Sequence, residues 1–244
     1  MSPALEVRAL EYRYRTGFAL DGIEFTAEPG AFTVLLGPNG AGKSTLVNLL
    51  TRLYAPRSGT IAIAGHRLDR HPEAALARLG VVFQHSTLDL DLTVRRNLIY
   101  ALALHGIAGA RAKTAITAAL ARFGLIEAAE RPARALSGGN RRKLDVARAL
   151  AHDPAVLICD EATVGLDQPS RRALLGHVRA LCRDHGVAVL WATHLMDEIE
   201  PDDAVVMLRQ GRVRASGTAA GLMARAGAAD MGQTFDHLSG DPAP

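Results

Sequence analysis

Nine consecutive residues, Gly37-Pro38-Asn39-Gly40-Ala41-Gly42-Lys43-Ser44-Thr45, carry the phosphate-binding pattern G-x-x-x-x-G-K-[ST]. Glycines let such a loop turn its backbone N–H groups inward, and a helix that starts at its end offers an anion its positive pole. Lys43 is then placed to reach the β- and γ-phosphates of a nucleotide, and the Ser44 hydroxyl to ligate Mg²⁺. A second pair, Asp160-Glu161, closes an apolar run from Ala155 to Cys159. A metal-coordinating Asp followed by a Glu able to take a proton from water is what phosphoryl transfer to water requires. In isolation the pair reads as two solvated carboxylates; beside a phosphate loop the chemical reading is stronger. His194 ends another core-type run and could donate to a phosphate oxygen, although position alone favours a satisfied structural histidine. The other eight of the nine histidines read as surface residues.

The surrounding pattern predicts the elements that must hold these groups. Phe32 to Leu36 is an apolar, β-prone run before the loop, and Leu46, Val47, Leu49, Leu50 and Leu53 share one face of a helix after it. Residues 5–27 predict two strands, with Leu5/Val7/Ala9 and Ile23/Phe25 alternating on either side of a turn near Thr16-Gly17. Tyr12, Tyr14 and Phe18 cluster there; an aromatic near a phosphate loop can stack on a base or simply pack. Thr60 to Ala64 predicts a short strand, Pro72 to Leu79 a short helix, and Val81 to Phe83 a buried strand ending at Gln84.

From Ser86 to Leu136 β-branched runs give way to alanine, leucine and arginine at helical spacing. This predicts a helix from a Thr93 cap to about His105 and a second over residues 110–123. The insert has no titratable cluster and reads as a surface for partners or for carrying motion. Leu136-Ser137-Gly138-Gly139-Asn140 then opens a helix that Ser137 can cap while the glycines leave N–H groups open, a second anion-binding helix end. Pro169 starts a helix to about Arg183, Val187 to Trp191 is a buried strand, and Val205–Leu208 with Val213–Ala215 forms a hairpin. Thr218 opens a short helix. Beyond about Gly227 the Gly, Asp and Pro content predicts a loose tail.

Composition bounds the setting. The chain has 244 residues, 48% hydrophobic and 22% charged, enough for one large α/β domain with an inserted lobe. A net charge of +3 comes from scattered arginines with no sustained basic block, so no nucleic-acid partner is expected. The two cysteines, Cys159 and Cys182, have neither disulfide nor metal spacing, which suits a reducing compartment. The longest apolar run, around Gly186 to Ala192, is far short of the ~20 residues of a membrane helix, and no secretory signal opens the chain.

In this order the motifs resemble those of the ATP-binding cassette (ABC) ATPases, over roughly residues 5–222. Gly37 to Thr45 resembles the Walker A loop, Gln84 the Q-loop, Leu136 to Asn140 the signature motif and Ile158 to Glu161 the Walker B strand end. Val164 to Asp167 resembles the D-loop and His194 the switch histidine, while Tyr14 sits where the family stacks adenine. The resemblance implies a P-loop NTPase (RecA-like) α/β core with an N-terminal antiparallel β subdomain, over residues 1–85 and 137–222. It also implies an inserted α-helical subdomain over 86–136, with residues 223–244 as the tail. ATP and Mg²⁺ are the implied ligands: the Walker A residues, Tyr14 and Gln84 for ATP, and Ser44, Asp160 and Gln84 for the metal. Glu161 would activate water, and Lys43 and His194 would contact the γ-phosphate.

The family pairs two cassettes head to tail, so Ser137 and Gly139 would serve the partner's ATP and Asp167 would monitor the opposite subunit. A homodimer working on an integral membrane permease, at the cytoplasmic face of the inner membrane, is the expected assembly. Asn140 departs from the commoner Gln of the signature, and Ala162 and Val164 from the usual Pro and Ser before the D-loop. The first departure predicts tuning; the others put a hydroxyl contact across the interface in doubt. The stretches Phe83–Val94 and Glu161–Asp167 look most like drug- and polysaccharide-efflux cassettes, and within them a bacterial subset associated with quinoprotein (PQQ) alcohol-dehydrogenase systems. The alternatives are a soluble ABC switch on nucleic acid or a ribosome, and an unrelated P-loop kinase that would leave the signature and His194 unexplained.

Overall fold

The computed structural model describes residues 2–15 and 17–240, so Thr16 of the expected turn and residues 241–244 of the expected tail lie outside it. In chain order the elements are β1 (Leu5–Arg13), β2 (Ala19–Ala27), β3 (Phe32–Leu36), α1 (Lys43–Leu50), β4 (Ser58–Ile63), β5 (His66–Arg67), α2 (Pro72–Leu76) and β6 (Leu79–Val82). There follow α3 (Val94–Leu104), α4 (Gly109–Arg122), α5 (Gly138–Leu150), β7 (Val156–Asp160), α6 (Gln168–His185), β8 (Ala188–Thr193), β9 (Ala204–Arg209), β10 (Arg212–Thr218), α7 (Ala219–Ala226) and α8 (Met231–Ser239). One antiparallel sheet has the order β2-β1-β4-β5, and a second sheet has the order β10-β9-β3-β8-β7-β6. Within the latter, β9, β3, β8, β7 and β6 run parallel and β10 closes the edge antiparallel. This is the P-loop NTPase architecture with an antiparallel β subdomain and inserted helices.

The central strands explain the two-layer core. Val34, Leu36, Leu157, Cys159, Val189 and Trp191 face a layer shared with α3, α4, α5 and α6. Their neighbours Leu35, Val156, Ile158, Ala188, Leu190 and Ala192 face α1 and the antiparallel sheet. Strands buried on both faces read as continuous apolar runs, which is how they were legible. The inserted helices are thus continuous with the main core on one side of the sheet.

Caps fall where the side chains predict them. Thr93 accepts from the Arg96 amide, Ser137 from the Asn140 amide and Thr218 from the Gly221 amide.

The helix expected over Pro72 to Leu79 stops at Leu76, because Leu79 pairs with Val156 as the first residue of β6. Four further expectations need correction. Ala9 does not continue the Leu5/Val7 alternation: it is exposed at φ 43°, and a register shift between Val7 and Leu10 gives Leu10 the buried place. Leu53 is 63% exposed, because α1 stops at Leu50 and Arg52 turns the chain at φ 59°. The tail is not loose as far as Gly240. Asp230 caps α8, whose Met231 and Phe235 are buried in the main apolar layer, and Arg209 Nη1 donates to Ser239 Oγ at 3.2 Å. A nine-residue helix is marginal alone, but burying two large apolar side chains gains about 1.5–3 kcal/mol each.

The fourth correction is His152, which is half-buried and stacked on His105 with ring centroids 3.7 Å apart. Its Nε2 lies 3.2 Å from the Leu79 carbonyl oxygen, so the pair joins the end of α3 to β6 and the turn after α5. Burial, then the neighbouring His105, push the His152 pKa down from 6.5 to about 4; burial also lowers that of His105. Between those two values the unfolded chain binds more protons than the folded one, so stability is full above pH 6.5 and falls as pH drops toward 4. Thermal denaturation across pH 7.5 to about 4.5 should show this decline. His152→Phe, which keeps a ring without a titrating group, should flatten it.

Candidate active site

The phosphate loop joins β3 to α1 and is braced from behind by the β9–β10 hairpin. A Cβ at Gly37 would lie 2.4 Å from the Leu208 carbonyl oxygen, so no side chain fits there. The Gly211 amide donates to the Ala41 carbonyl at 2.9 Å, and the Asp21 amide donates to the Gly211 carbonyl at 2.9 Å. Gly211 itself has φ 74°, and a Cβ would meet the Ala19 oxygen at 1.8 Å. Loop, hairpin and antiparallel sheet therefore meet at one glycine.

Gly42 is the N-cap of α1 and supplies no side-chain cap, which leaves the first helical N–H groups to an anion. Lys43 is only 5% exposed. Its Nζ donates to the Gly37 oxygen at 2.7 Å and the Pro38 oxygen at 3.2 Å, and lies 3.3 Å from Glu161 Oε1. Pro38, Asn39, Gly40 and Ser44 are exposed along the loop, whereas Ala41 is buried beneath it.

Glu161 follows the end of β7 in a left-handed backbone conformation, φ 48°, which costs a non-glycine residue on the order of 1–3 kcal/mol. That turn keeps its amide on the Ala192 carbonyl at 2.9 Å while the side chain enters the site. Gln84 Nε2 donates to Glu161 Oε2 at 3.0 Å, and His194 Nδ1 lies 3.1 Å from Oε1. The carboxylate is the common partner of Lys43, Gln84 and His194.

Asp160 lies beside it, 4% exposed, and its Oδ1 has no hydrogen-bond partner. Burial raises its pKa, opposed by the Ser44 hydroxyl, with Glu161 raising it further and Lys43 and Arg142 lowering it. An orphaned carboxylate oxygen next to a hydroxyl fits a hard cation, which takes oxygen ligands. Among the described residues no three His, Cys, Asp or Glu side chains form a metal cage, so a cation here would complete its shell from phosphate and water.

Tyr14, Phe18, Asn39, Gly40, Gly42, Lys43, Ser44, Thr45, Gln84 and Glu161 line one cleft of about 560 Å³. The Tyr14 hydroxyl is 3.2 Å from Thr45 Oγ1, and its ring meets those of Tyr12 and Tyr54 edge-on at 4.9 and 5.9 Å. The cluster holds the Tyr14 ring in the lining of the cleft. Ser137 and Gly139 do not line this cleft. They stand at the start of α5, where a Cβ on Gly139 would lie 2.9 Å from Ser170 Oγ. Asp167 caps α6 by accepting from the Ser170 amide at 2.8 Å, which holds its pKa below the usual carboxylate range. Of the departures, Ala162 is fully buried and Val164 is 47% exposed on the same side as these helix ends.

Arg142 belongs to no motif in the sequence. It is buried, and its guanidinium donates to the carbonyls of Phe83 at 2.7 Å, Gln84 at 3.1 Å and Glu161 at 3.3 Å, as well as to Ala162. It therefore fixes the backbone of both residues that meet at the carboxylate. Its targets are main-chain oxygens on distant loops, which leave no mark in a sequence.

A phosphate loop at the start of α1, a strand end with two carboxylates and an inserted helical layer define a P-loop ATPase cassette. The family model described as "ABC transporter" matches residues 20–164, and the chain belongs to that family as an ATP-binding subunit that hydrolyses ATP. It is 39% identical over 225 residues to the daunorubicin resistance ATP-binding protein DrrA3 of Streptomyces coeruleorubidus, covering 92% of this chain and 71% of that one. It is 38% identical over 217 residues to the Nod factor export ATP-binding protein I of Ralstonia nicotianae, covering 88% and 67%. A solved ATP-binding subunit of an ABC transporter superposes with a TM-score of 0.85 at 28% identity, over 97% of this chain and all of that one.

Replacing Arg142 by Met removes the guanidinium donor from two buried carbonyls, those of Ala162 and Glu161, and from the partly buried ones of Phe83 and Gln84. We expect a stability loss of about 3 kcal/mol or more in denaturant titration, because each orphaned buried acceptor costs roughly 1–3 kcal/mol.

Proposed function

We propose that the protein is the ATPase subunit of a bacterial exporter, working as a homodimer on a separate integral membrane permease at the cytoplasmic face of the inner membrane. The observation that carries the reading is the convergence of Lys43, Gln84 and His194 on Glu161 beside the phosphate loop. Of the groups that meet the carboxylate, Lys43 and His194 are the two that a γ-phosphate would engage. On binding, the loop amides and Lys43 take the phosphates, Tyr14 stacks on adenine, and His194 turns to the γ-phosphate. Glu161, released from Lys43, accepts a proton from the attacking water. Ser44, Asp160 and Gln84 would hold Mg²⁺, which when bound neutralises charge on the β- and γ-phosphates.

The position of the signature supports a site completed by a second chain. Ser137 and Gly139 present an open helix start away from the chain's own cleft, suited to the γ-phosphate bound by the partner. Asp167 and Val164 lie on the same side and would meet the opposite subunit.

No helix of the described residues is long and apolar enough to cross a membrane. The groove from Gln84 to Leu90 and the exposed apolar face of α3, with Ile99, Tyr100 and Leu104, would receive the permease. The export direction is supported by the names of the two relatives, one in daunorubicin resistance and one in Nod factor export. Residues 86–136 would act as the lobe that carries closure to the permease.

Glu161→Gln should lower ATP turnover roughly 10²- to 10⁴-fold, the range for losing a general base, while ATP still binds and holds the dimer closed. Near-normal turnover would remove Glu161 from that role. The same variant, tagged and purified from native membranes with ATP, should bring down a multi-span membrane protein. Recovery of ribosomes or nucleic acid instead would overturn the transporter reading.

A further inference from the structure

Glu198 is a buried acid with no part in the chemistry above. Glu198 lies four residues beyond His194 in a single 3₁₀ turn, Met196–Glu198, and is 2% exposed. Both side-chain oxygens are taken by neutral donors: the Thr163 hydroxyl donates to Oε1, and Trp191 Nε1 donates to Oε2 at 2.9 Å. Thr163 and Trp191 are themselves buried. Burying a carboxyl group for two neutral hydrogen bonds is costly compared with an apolar side chain of similar size. What the acid provides is a fixed distance between two segments.

Those segments are the ones that the proposed dimer would move. Thr163 sits between Glu161 and Asp167, inside two overlapping turns, Val164 N to Glu161 O at 3.2 Å and Leu166 N to Thr163 O at 3.1 Å. Trp191 is on β8, the strand that leads directly to His194. The Glu198 backbone is held too: its carbonyl accepts from Arg179 Nη2 at 2.8 Å, and Arg179 is paired with Asp203 and lies 4.2 Å over the Phe32 ring. A second tie between α6 and this loop, Arg171 to Asp197, has Asp197 60% exposed at its side chain, and such a surface pair contributes little.

We infer that Glu198 is a positioning residue that locks the turn carrying Asp167 to the loop carrying His194, so that a partner subunit displacing Asp167 resets His194 in the same chain. The inference rests on the dimeric ATPase reading. It adds a specific side-chain route between the partner-facing turn and the residue that would contact the γ-phosphate.

Thr163→Val keeps the shape of the side chain and removes the hydroxyl. In the full chain its kcat should fall about 10-fold or more through misplaced groups, with KM for ATP within roughly 2-fold and cooperativity in ATP lost. Glu198→Leu should do the same, and the double variant should be no worse than either single one, since both cut one link. Glu198→Gln should keep kcat within about 3-fold, because its amide can hold Trp191 while donating to a threonine hydroxyl that also accepts. Unchanged kcat and cooperativity in Thr163→Val, with only a lowered Tm, would overturn the inference, as would additive losses in the double variant. Wild-type turnover that does not depend on Glu161, measured beside Glu161→Gln, would instead sink the parent reading of the site.

Discussion

The structure turns on the environment of one carboxylate. Glu161 is 8% exposed, adopts a left-handed backbone and meets a lysine, an amide and an imidazole within 3.3 Å. Each of those groups arrives from a different element: Lys43 from α1, Gln84 from the end of β6 and His194 from the end of β8. The parallel sheet brings the ends of β6, β7 and β8 to one side, and Arg142 then fixes the main chain at Gln84 and Glu161. Removing the carboxylate's neighbours would leave a buried anion with nothing to offset its desolvation, so folding and chemistry constrain the same few residues.

The division between what this chain completes and what it leaves open follows from the same arrangement. The phosphate loop, Glu161 and the rings of Tyr14 and Phe18 line one cleft, whereas the signature helix starts elsewhere. A helix N-terminus with free N–H groups is useful only to an anion brought to it. In the proposed dimer the two open ends supply each other, and the protein's activity becomes a property of the pair.

Much of this was legible in the sequence because it depends on local rules. The buried strands read as apolar runs, the caps at Thr93, Ser137 and Thr218 as hydroxyls before helical spacing, and the phosphate loop as a spacing of glycines with a lysine. What escaped depends on distant partners. Ala9 alternates correctly in the sequence and is displaced by a bulge, and Leu53 keeps helical spacing past a turn that ends the helix. The α8 residues look like a polar tail until Met231 and Phe235 find the apolar layer beneath β9 and β10. Arg142 and Glu198 act on carbonyls and donors far away in sequence. His152 looks exposed until its ring is seen against His105.

The brace at Gly211 has a bearing on the order in which the site can come into being. The phosphate loop belongs to the first fifth of the chain, but the amide that secures its Ala41 carbonyl, and the wall that Leu208 presents to Gly37, come from the β9–β10 hairpin near the other end. Chains leave the ribosome from the N-terminus, and domains fold as units once their parts are present. The loop therefore gains its backing only once the last strands of the sheet are in place.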